Sequence, residues 1–293
     1  MDKTLNTPMK PTRPSEVHTL LAELRFRPLK SLGQNFLIDA NILAIMLDTA
    51  AITPEDEILE VGTGLGVLTE PMAEKARRII TVEKDRRLCD FLKKRLKHFQ
   101  NVELICADML SLDHETLLAS GITQVVANLP YSVGSAILVN LLHAKLPPRR
   151  MTLTLQLEVA RRLVATAGHK EFGLLSLWSQ LIYDVSIRKI INSSCFYPVP
   201  NVQSAILRMV RKEPAECNPS ERKFFVALTK FAFSQRRKQL GTVLRAAPVP
   251  WNLTPDRVQA VFKTLELDPR SRPEALSVVE WRRLAQALNP KPG

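Results

Sequence analysis

Between residues 54 and 156, short apolar runs alternate with segments of helical periodicity. Glu57-Ile58-Leu59-Glu60-Val61 predicts a first strand. Arg78–Val82 predicts a second, Val102–Cys106 a third, Gln124–Ala127 a fourth and Met151–Gln156 a fifth. Such runs, rich in β-branched residues and bounded by polar or turn-forming ones, suit strands buried on both faces. Asn41–Ala51, Asp85–His98 and Gly134–Ala144 carry the helical patterns before and between them. Strand–helix alternation of this kind predicts an α/β fold with a doubly wound, Rossmann-like parallel sheet.

Beyond Gln156 the pattern changes. Glu158–Ala165 predicts a short helix, and Val185–Ile191 with Ser204–Val210 predict two paired strands. Arg211–Ser220 contains prolines and charges and reads as a linker. Glu221–Leu244 and Pro255–Leu265 then predict helices. The expected organisation is a disordered tail over residues 1–25, a Rossmann-like domain over 26–212, and a smaller, mostly helical C-terminal domain over 213–293. No internal repeat is found.

Composition narrows the function classes. Apolar residues make up 45% of the 293, enough for a large buried core. No run of 18 or more apolar residues predicts a membrane span, and the polar start of the chain lacks the apolar core of a secretory signal. Cys89, Cys106, Cys195 and Cys217 form no Cys-x-x-Cys pair and the histidines do not cluster with them, so no metal site is expected. Reduced cysteines fit a cytoplasmic protein. The net charge is +12, and residues 211–293 hold 16 Lys/Arg against 8 Asp/Glu. A basic C-terminal region predicts a polyanionic partner, with Arg236-Arg237-Lys238, placed on a helix, as candidate phosphate contacts.

The candidate chemistry gathers where the first four strands end. Glu60-Val61-Gly62-Thr63-Gly64-Leu65-Gly66 is a glycine-rich turn between a strand and a helix, spaced G-x-G-x-G rather than the G-x-G-x-x-G of dinucleotide sites. Glu83 ends the second strand, where a carboxylate can accept from a ribose diol. Asp108 follows the third, where it can accept from an adenine amino group. Each acid taken singly also reads as a helix N-cap, and Asp85 is the better N-cap candidate. Their joint placement favours a sulfonium-bearing nucleoside cofactor over a pyrophosphate. The most specific motif, Asn128-Leu129-Pro130-Tyr131, follows the fourth strand. An exocyclic amine is a poor nucleophile because its lone pair is delocalised. An Asn side-chain oxygen and a carbonyl beside Pro130 can accept its two N–H groups and aim the lone pair, while Tyr131 offers a ring for a base turned out of its helix.

These motifs together resemble the ribosomal RNA adenine N6,N6-dimethyltransferases of the KsgA/RsmA family. The resemblance runs from Leu32 onward. It takes in Leu32-Gly33-Gln34-Asn35-Phe36-Leu37, the glycine loop, Glu83, Asp108, Asn128–Tyr131 and Gln156-x-Glu158-Val159-Ala160-x-Arg162-Leu163. It continues through Phe196-x-Pro198-x-Pro200-x-Val202-x-Ser204 and Phe233-Ser234-Gln235-Arg236-Arg237-Lys238. It implies S-adenosylmethionine as cofactor. Asn35, Leu37, Gly62, Gly64, Glu83, Asp108 and Asn128 would bind it, and Phe196 would stack on the target base opposite Tyr131. It further implies dimethylation of two adjacent adenosines in the 3′-terminal hairpin loop of small-subunit RNA, by a monomer acting on that RNA or on an immature 30S subunit. Thr63, Ala136, Asn201 and Gln203 depart from the family pattern, which bears on target fit more than on reaction type. The rival readings are a large-subunit (23S) adenine dimethyltransferase of the antibiotic-resistance type, which usually reads Asn-Ile-Pro-Tyr, and a catalytically silent RNA-binding or assembly factor. An NAD-dependent oxidoreductase is disfavoured by the loop spacing.

Overall fold

The structure is a computed structural model that describes residues 14–29, 32–213 and 218–289. The chain divides into two compact units, Met1–Ala160 with Ser186–Val210, and Arg161–Val185 with Arg211–Gly293.

The first unit opens with α1 (Pro14–Glu23), β1 (Phe36–Leu37) and α2 (Ala40–Ala50). Then follow β2 (Glu57–Val61), α3 (Thr69–Ala73), β3 (Arg78–Glu83), α4 (Arg86–Arg95), β4 (Val102–Cys106) and α5 (His114–Ala119). β5 (Gln124–Asn128), α6 (Gly134–His143), β6 (Arg150–Gln156) and α7 (Leu157–Val164) come next. α8 (Leu174–Ile182) precedes three strands, β7 (Tyr183–Ile191), β8 (Phe196–Tyr197) and β9 (Ser204–Arg211). The seven-stranded sheet has the order β4-β3-β2-β5-β6-β9-β7. The first five strands in that order are parallel, and β9 runs antiparallel to β6. The chain walks outward from β2 to β4, then returns to start β5 on the other side of β2. That reversal opens a crevice at the carboxyl ends of β2 and β5, where α/β sheets bind ligands.

Sequence patterning accounts for these elements. β2 and β3 are central and apolar because both faces are covered. In α4, Leu88, Cys89, Phe91 and Leu92 form the buried stripe. Asp85 caps its N-terminus by accepting from the Arg87 N–H, and Lys93, Lys94 and Arg95 occupy the last turn, where they offset the helix dipole.

Three features are arranged differently from the expectation: the tail, the extent of the second unit and the helix over Glu221–Leu244. Within the supposed tail, residues 14–23 form α1, whose Val17, Leu20 and Leu21 are buried with Phe26, Phe36, Leu65, Leu88 and Leu92. These positions, three and four apart, make an apolar stripe that the flanking prolines and polar residues obscure. Residues 1–13 lie outside the described residues. The domain boundary also differs, because residues 161–185 belong to the second unit. The reason is packing. Besides α8, that unit contains α9 (Pro219–Phe233), α10 (Leu240–Arg245), α11 (Pro255–Thr264) and α12 (Val278–Leu288). α8 lies against α9 and α12, and the Trp178 indole donates to Thr229 Oγ1 at 3.1 Å. Glu221–Leu244 is not one helix. α9 stops at Phe233, and Arg236-Arg237-Lys238 lies in the turn before α10 rather than on a helix. Among the described residues, no helix is long and apolar enough to cross a membrane.

Candidate functional site

At the switch point the first unit encloses a cleft of about 1050 Å³, its open mouth included. Asn35, Leu37, Gly62, Gly64, Glu83, Asp108 and Asn128–Tyr131 all line it, together with Glu60 and Thr63. These residues are scattered from position 35 to position 131, and the carboxyl edge of the sheet collects them.

The glycine loop is held on both sides. Gly62 has a φ of 79°, and a Cβ there would lie 3.3 Å from the Pro130 ring. Gly64, at a φ of 59°, would bring a Cβ to 3.2 Å from the Phe36 ring. Glycine at both places therefore lets the loop turn and pass close under the 128–131 segment. Gly62 N donates to Val82 O at 2.9 Å, and Gly64 N donates to Glu83 Oε2 at 2.9 Å.

Glu83 is buried, and its Oε1 accepts from the Asp85 N–H at 2.9 Å. Burial pushes its carboxyl above the usual value, while backbone N–H groups of Asp85, Gly64 and Lys84 pull the other way. Asp108 lies at the cleft edge. Its Oδ1 accepts from Leu110 N at 3.0 Å, and Lys84 Nζ donates to its Oδ2 at 2.7 Å. The Lys84 ammonium holds this carboxyl below the usual carboxylate range, so Asp108 is an ionised acceptor. The N-cap reading of Asp108 is therefore also correct, since it starts a short turn of helix over Met109–Ser111. Asp85 is a cap alone, bound to Arg87 and to Gln34 Nε2.

Glu60 opens the glycine-loop motif, and the fold shows how it is held. It is 0% exposed, and its Oε2 accepts from Thr69 Oγ1 at 2.6 Å and Thr81 Oγ1 at 2.7 Å. Thr81 also pairs with Thr63 Oγ1 at 2.6 Å, so the Thr63 departure adds a hydroxyl to a buried chain. Glu60 Oε1 is buried with no hydrogen-bond partner among the described residues. Burial pushes its carboxyl up to about 8.

At the other end of the cleft, Asn128 ends β5. Its Nδ2 donates to Asn35 O at 3.0 Å, which orients the amide and leaves Oδ1 buried without a partner among the described residues. Leu129 is buried, and its N–H donates to Thr154 O at 3.2 Å. Pro130 O accepts from Val133 N at 3.2 Å and Gly134 N at 2.8 Å and so starts α6. The Tyr131 hydroxyl pairs with Ser204 Oγ. Tyr131 N donates to Gly33 O at 3.4 Å, which presses the 33–37 segment against the motif.

Phe196 is placed differently from the expectation. It is 0% exposed, packs with Leu37, Ile42, Met46 and Val126, and does not line the cleft. Its ring meets Tyr131 at 69° with centroids 6.4 Å apart. β8 is zipped antiparallel to β1, with Leu37 opposite Phe196, which accounts for the burial. The basic run is not uniform either. Arg236 Nε donates to Glu274 Oε2 at 3.1 Å, and its Nη2 donates to Lys170 O and Phe172 O at 3.2 Å. All three residues are exposed, and Arg236 also serves as a staple within the second unit. Of the other departures, Ala136 and Asn201 are exposed, and Gln203 donates to Asn192 Oδ1 at 3.1 Å.

The donor set discriminates between cofactor types. Among the described residues lining the cleft the one cationic side chain is Lys84, which is already paired with Asp108, and the rest of the polar set are carboxylates, amides and hydroxyls. That set suits a molecule bearing positive charge, a diol and an amine, and does not suit a pyrophosphate. Fold and cleft thus define a Rossmann-like, S-adenosylmethionine-dependent methyltransferase.

Comparison with known proteins makes this specific. The chain belongs to the ribosomal RNA adenine dimethylase family, whose model matches residues 25–289. It is 36% identical over 282 residues to a ribosomal RNA small subunit methyltransferase A of Geobacillus kaustophilus, covering 94% of this chain and 96% of that one. A dimethyladenosine transferase from Plasmodium falciparum superposes with a TM-score of 0.72 at 24% identity, covering 84% of this chain and 94% of that one. The 23S rRNA methyltransferase ErmE superposes with a TM-score of 0.66 at 26% identity, covering 87% and 99%. The chain is an enzyme, an S-adenosylmethionine-dependent ribosomal RNA adenine dimethyltransferase.

Proposed function

We propose that this enzyme dimethylates N6 of two adjacent adenosines in the 3′-terminal hairpin loop of 16S small-subunit RNA, during assembly of the 30S subunit. The observation that carries the site reading is the Asn128 amide. It is oriented by its bond to Asn35, and its carbonyl oxygen is buried beside the glycine loop with no partner among the described residues. A buried acceptor without a donor costs roughly 1–3 kcal/mol unless a ligand completes it. The full-length similarity to small-subunit methyltransferases, at 34–37% identity, supports small-subunit RNA over 23S RNA.

When bound, S-adenosylmethionine supplies an electrophilic methyl group on a sulfonium. The residues suited to hold it are Asn35, Leu37, Gly62, Gly64, Glu83, Asp108 and Asn128. Glu83 would accept from the ribose hydroxyls, because each of its oxygens keeps a lone pair beyond its backbone donor. Asp108 would accept from the adenine amine.

For the target base, Asn128 Oδ1 accepts one N–H of the N6 amine. The Pro130 carbonyl is committed to α6, so the Leu129 carbonyl is the neighbouring acceptor for the second N–H. Holding both hydrogens localises the nitrogen lone pair. No strong base is required, because the nitrogen becomes acidic as it gains the methyl, and its proton leaves through these acceptors to water. Tyr131 supplies a ring face for the extruded base, and Phe196 supports that ring by its edge. Arg237 and Lys238 in the basic second unit contact phosphate. The enzyme acts as a cytoplasmic monomer without a metal ion.

The test is mass spectrometry of adenosines in small-subunit RNA from cells lacking the gene. Dimethyladenosine should be lost and should return with the wild-type gene but not with Asn128→Ala. A change confined to large-subunit RNA would instead favour the 23S reading.

A further inference from the structure

The segment Phe196–Ser204 begins with an aromatic ring set against Tyr131 and ends with a hydroxyl bonded to it. Phe196 meets the ring edge-on, and Ser204 Oγ pairs with the phenol oxygen. Both supports are 0% exposed and cannot shift without disturbing the sheet. Phe196 is fixed because β8 is paired with β1. Ser204 is fixed because it starts β9, opposite Gln156 in the ladder, while Leu157 N donates to the carbonyl of neighbouring Gln203 at 2.9 Å. Tyr131 itself is only half-buried and lines the cleft. A tyrosine ring can turn about two side-chain bonds, and an edge contact alone leaves its tilt free. A hydrogen bond at the far end of the ring removes that freedom. Tyr131 therefore has three fixed points: its N–H on Gly33 O, its ring edge on Phe196 and its hydroxyl on Ser204.

We propose that Ser204 is a positioning residue for the methyl transfer, holding the Tyr131 ring at the tilt that receives the target base. This inference rests on the reading that Tyr131 faces that base. Ser204 would touch neither base nor cofactor and would act through Tyr131 alone. A base received at the wrong tilt still binds, but its amine no longer meets Asn128 Oδ1 in line with the methyl. The effect should therefore fall on the transfer step and not on binding.

The experiment is a double-mutant cycle with Ser204→Ala and Tyr131→Phe, plus Tyr131→Ala as reference. Single-turnover methylation is measured on undermethylated small ribosomal subunits from a strain lacking the gene. S-adenosylmethionine affinity and melting temperature are measured on the same proteins. Each single variant should lose about tenfold in rate, the worth of one partly buried hydrogen bond. The double variant should be no slower than either single one, because the two changes remove the same bond. Cofactor affinity, subunit affinity and melting temperature should stay near wild type. A wild-type rate for Ser204→Ala, or losses that multiply in the double variant, would overturn the positioning role while Tyr131→Ala remained slow. A wild-type rate for Tyr131→Ala, or no transfer by the wild-type enzyme, would overturn the base-facing reading and this inference with it.

Discussion

The two ends of the cleft are built by different means. The proposed cofactor end is made from strand termini. Its acids sit one after another at the ends of β2, β3 and β4, and backbone N–H groups of Gly64 and Asp85 fix Glu83. The proposed target end is assembled from segments far apart in the chain, with Asn128 bonded to Asn35 and Tyr131 bonded to Ser204. The first end rests on the turn and the acids, and Thr63 joins the buried Thr81–Glu60 chain there. The second depends on hydrogen bonds made across 93 and 73 residues, so small changes there should be felt in geometry.

The sharpest way to break this contrast is Asn128→Ala. At the target end it should slow methyl transfer by about 3 kcal/mol, the scale of losing one oriented group from a preorganised site. RNA binding should change little. A near-normal single-turnover rate would remove Asn128 from the chemistry.

Glu83→Ala probes the cofactor end. Loss of a charged acceptor should weaken S-adenosylmethionine binding by about 1.5–3 kcal/mol, while affinity for RNA is kept. Calorimetry showing unchanged cofactor affinity would refute the ribose role.

Glu60 offers a smaller and pH-dependent test. Its folded value is raised, so the neutral form is favoured in the native state. The destabilisation is absent well below the ordinary value of 4.5, grows as pH rises from 4.5 to about 8, and is complete above that. Glu60→Gln keeps an acceptor for Thr69 and Thr81 and removes the titration. Its melting temperature should therefore fall less than that of the wild type between about pH 5 and pH 8.5. Parallel pH profiles would mean that Glu60 is ionised in the native protein.

The least effect is expected in the second unit, where one tripeptide holds two roles. Arg237→Ala with Lys238→Ala should weaken RNA binding and flatten its salt dependence by about 1.4 log–log units, if both contact single-stranded RNA. Arg236→Ala should cost about 1 kcal/mol of stability through the loss of its bonds to Glu274, Lys170 and Phe172, read as a lower melting temperature. Equal effects of the two variants on both readouts would erase the distinction.

Much of the fold and of the cofactor end is legible directly in the chain. Short apolar runs with helical segments between them locate all five parallel strands, because strands buried on both faces need continuous apolar residues wherever they occur. The glycine loop, Glu83, Asp108 and Asn128–Tyr131 are legible because each sits at a strand end, and strand ends are local features. What escapes is non-local. α1 looks like a tail because its short apolar stripe gains its worth only by burial against Phe36 and Leu88. The second unit's claim on residues 161–185 comes from Trp178 reaching Thr229, a contact across 51 residues. Phe196 looks like a ring free to stack, and only the pairing of β8 with β1 buries it. Arg236 looks like a phosphate contact, yet the carbonyls of Lys170 and Phe172 already occupy its guanidinium. Local sequence is enough to set which residues stand at the edge of the sheet, since hydrophobic periodicity and turn chemistry act over a few residues. Which of those residues are oriented, protonated or already committed is settled only in the folded chain, because burial and hydrogen-bond partners depend on segments that meet after folding.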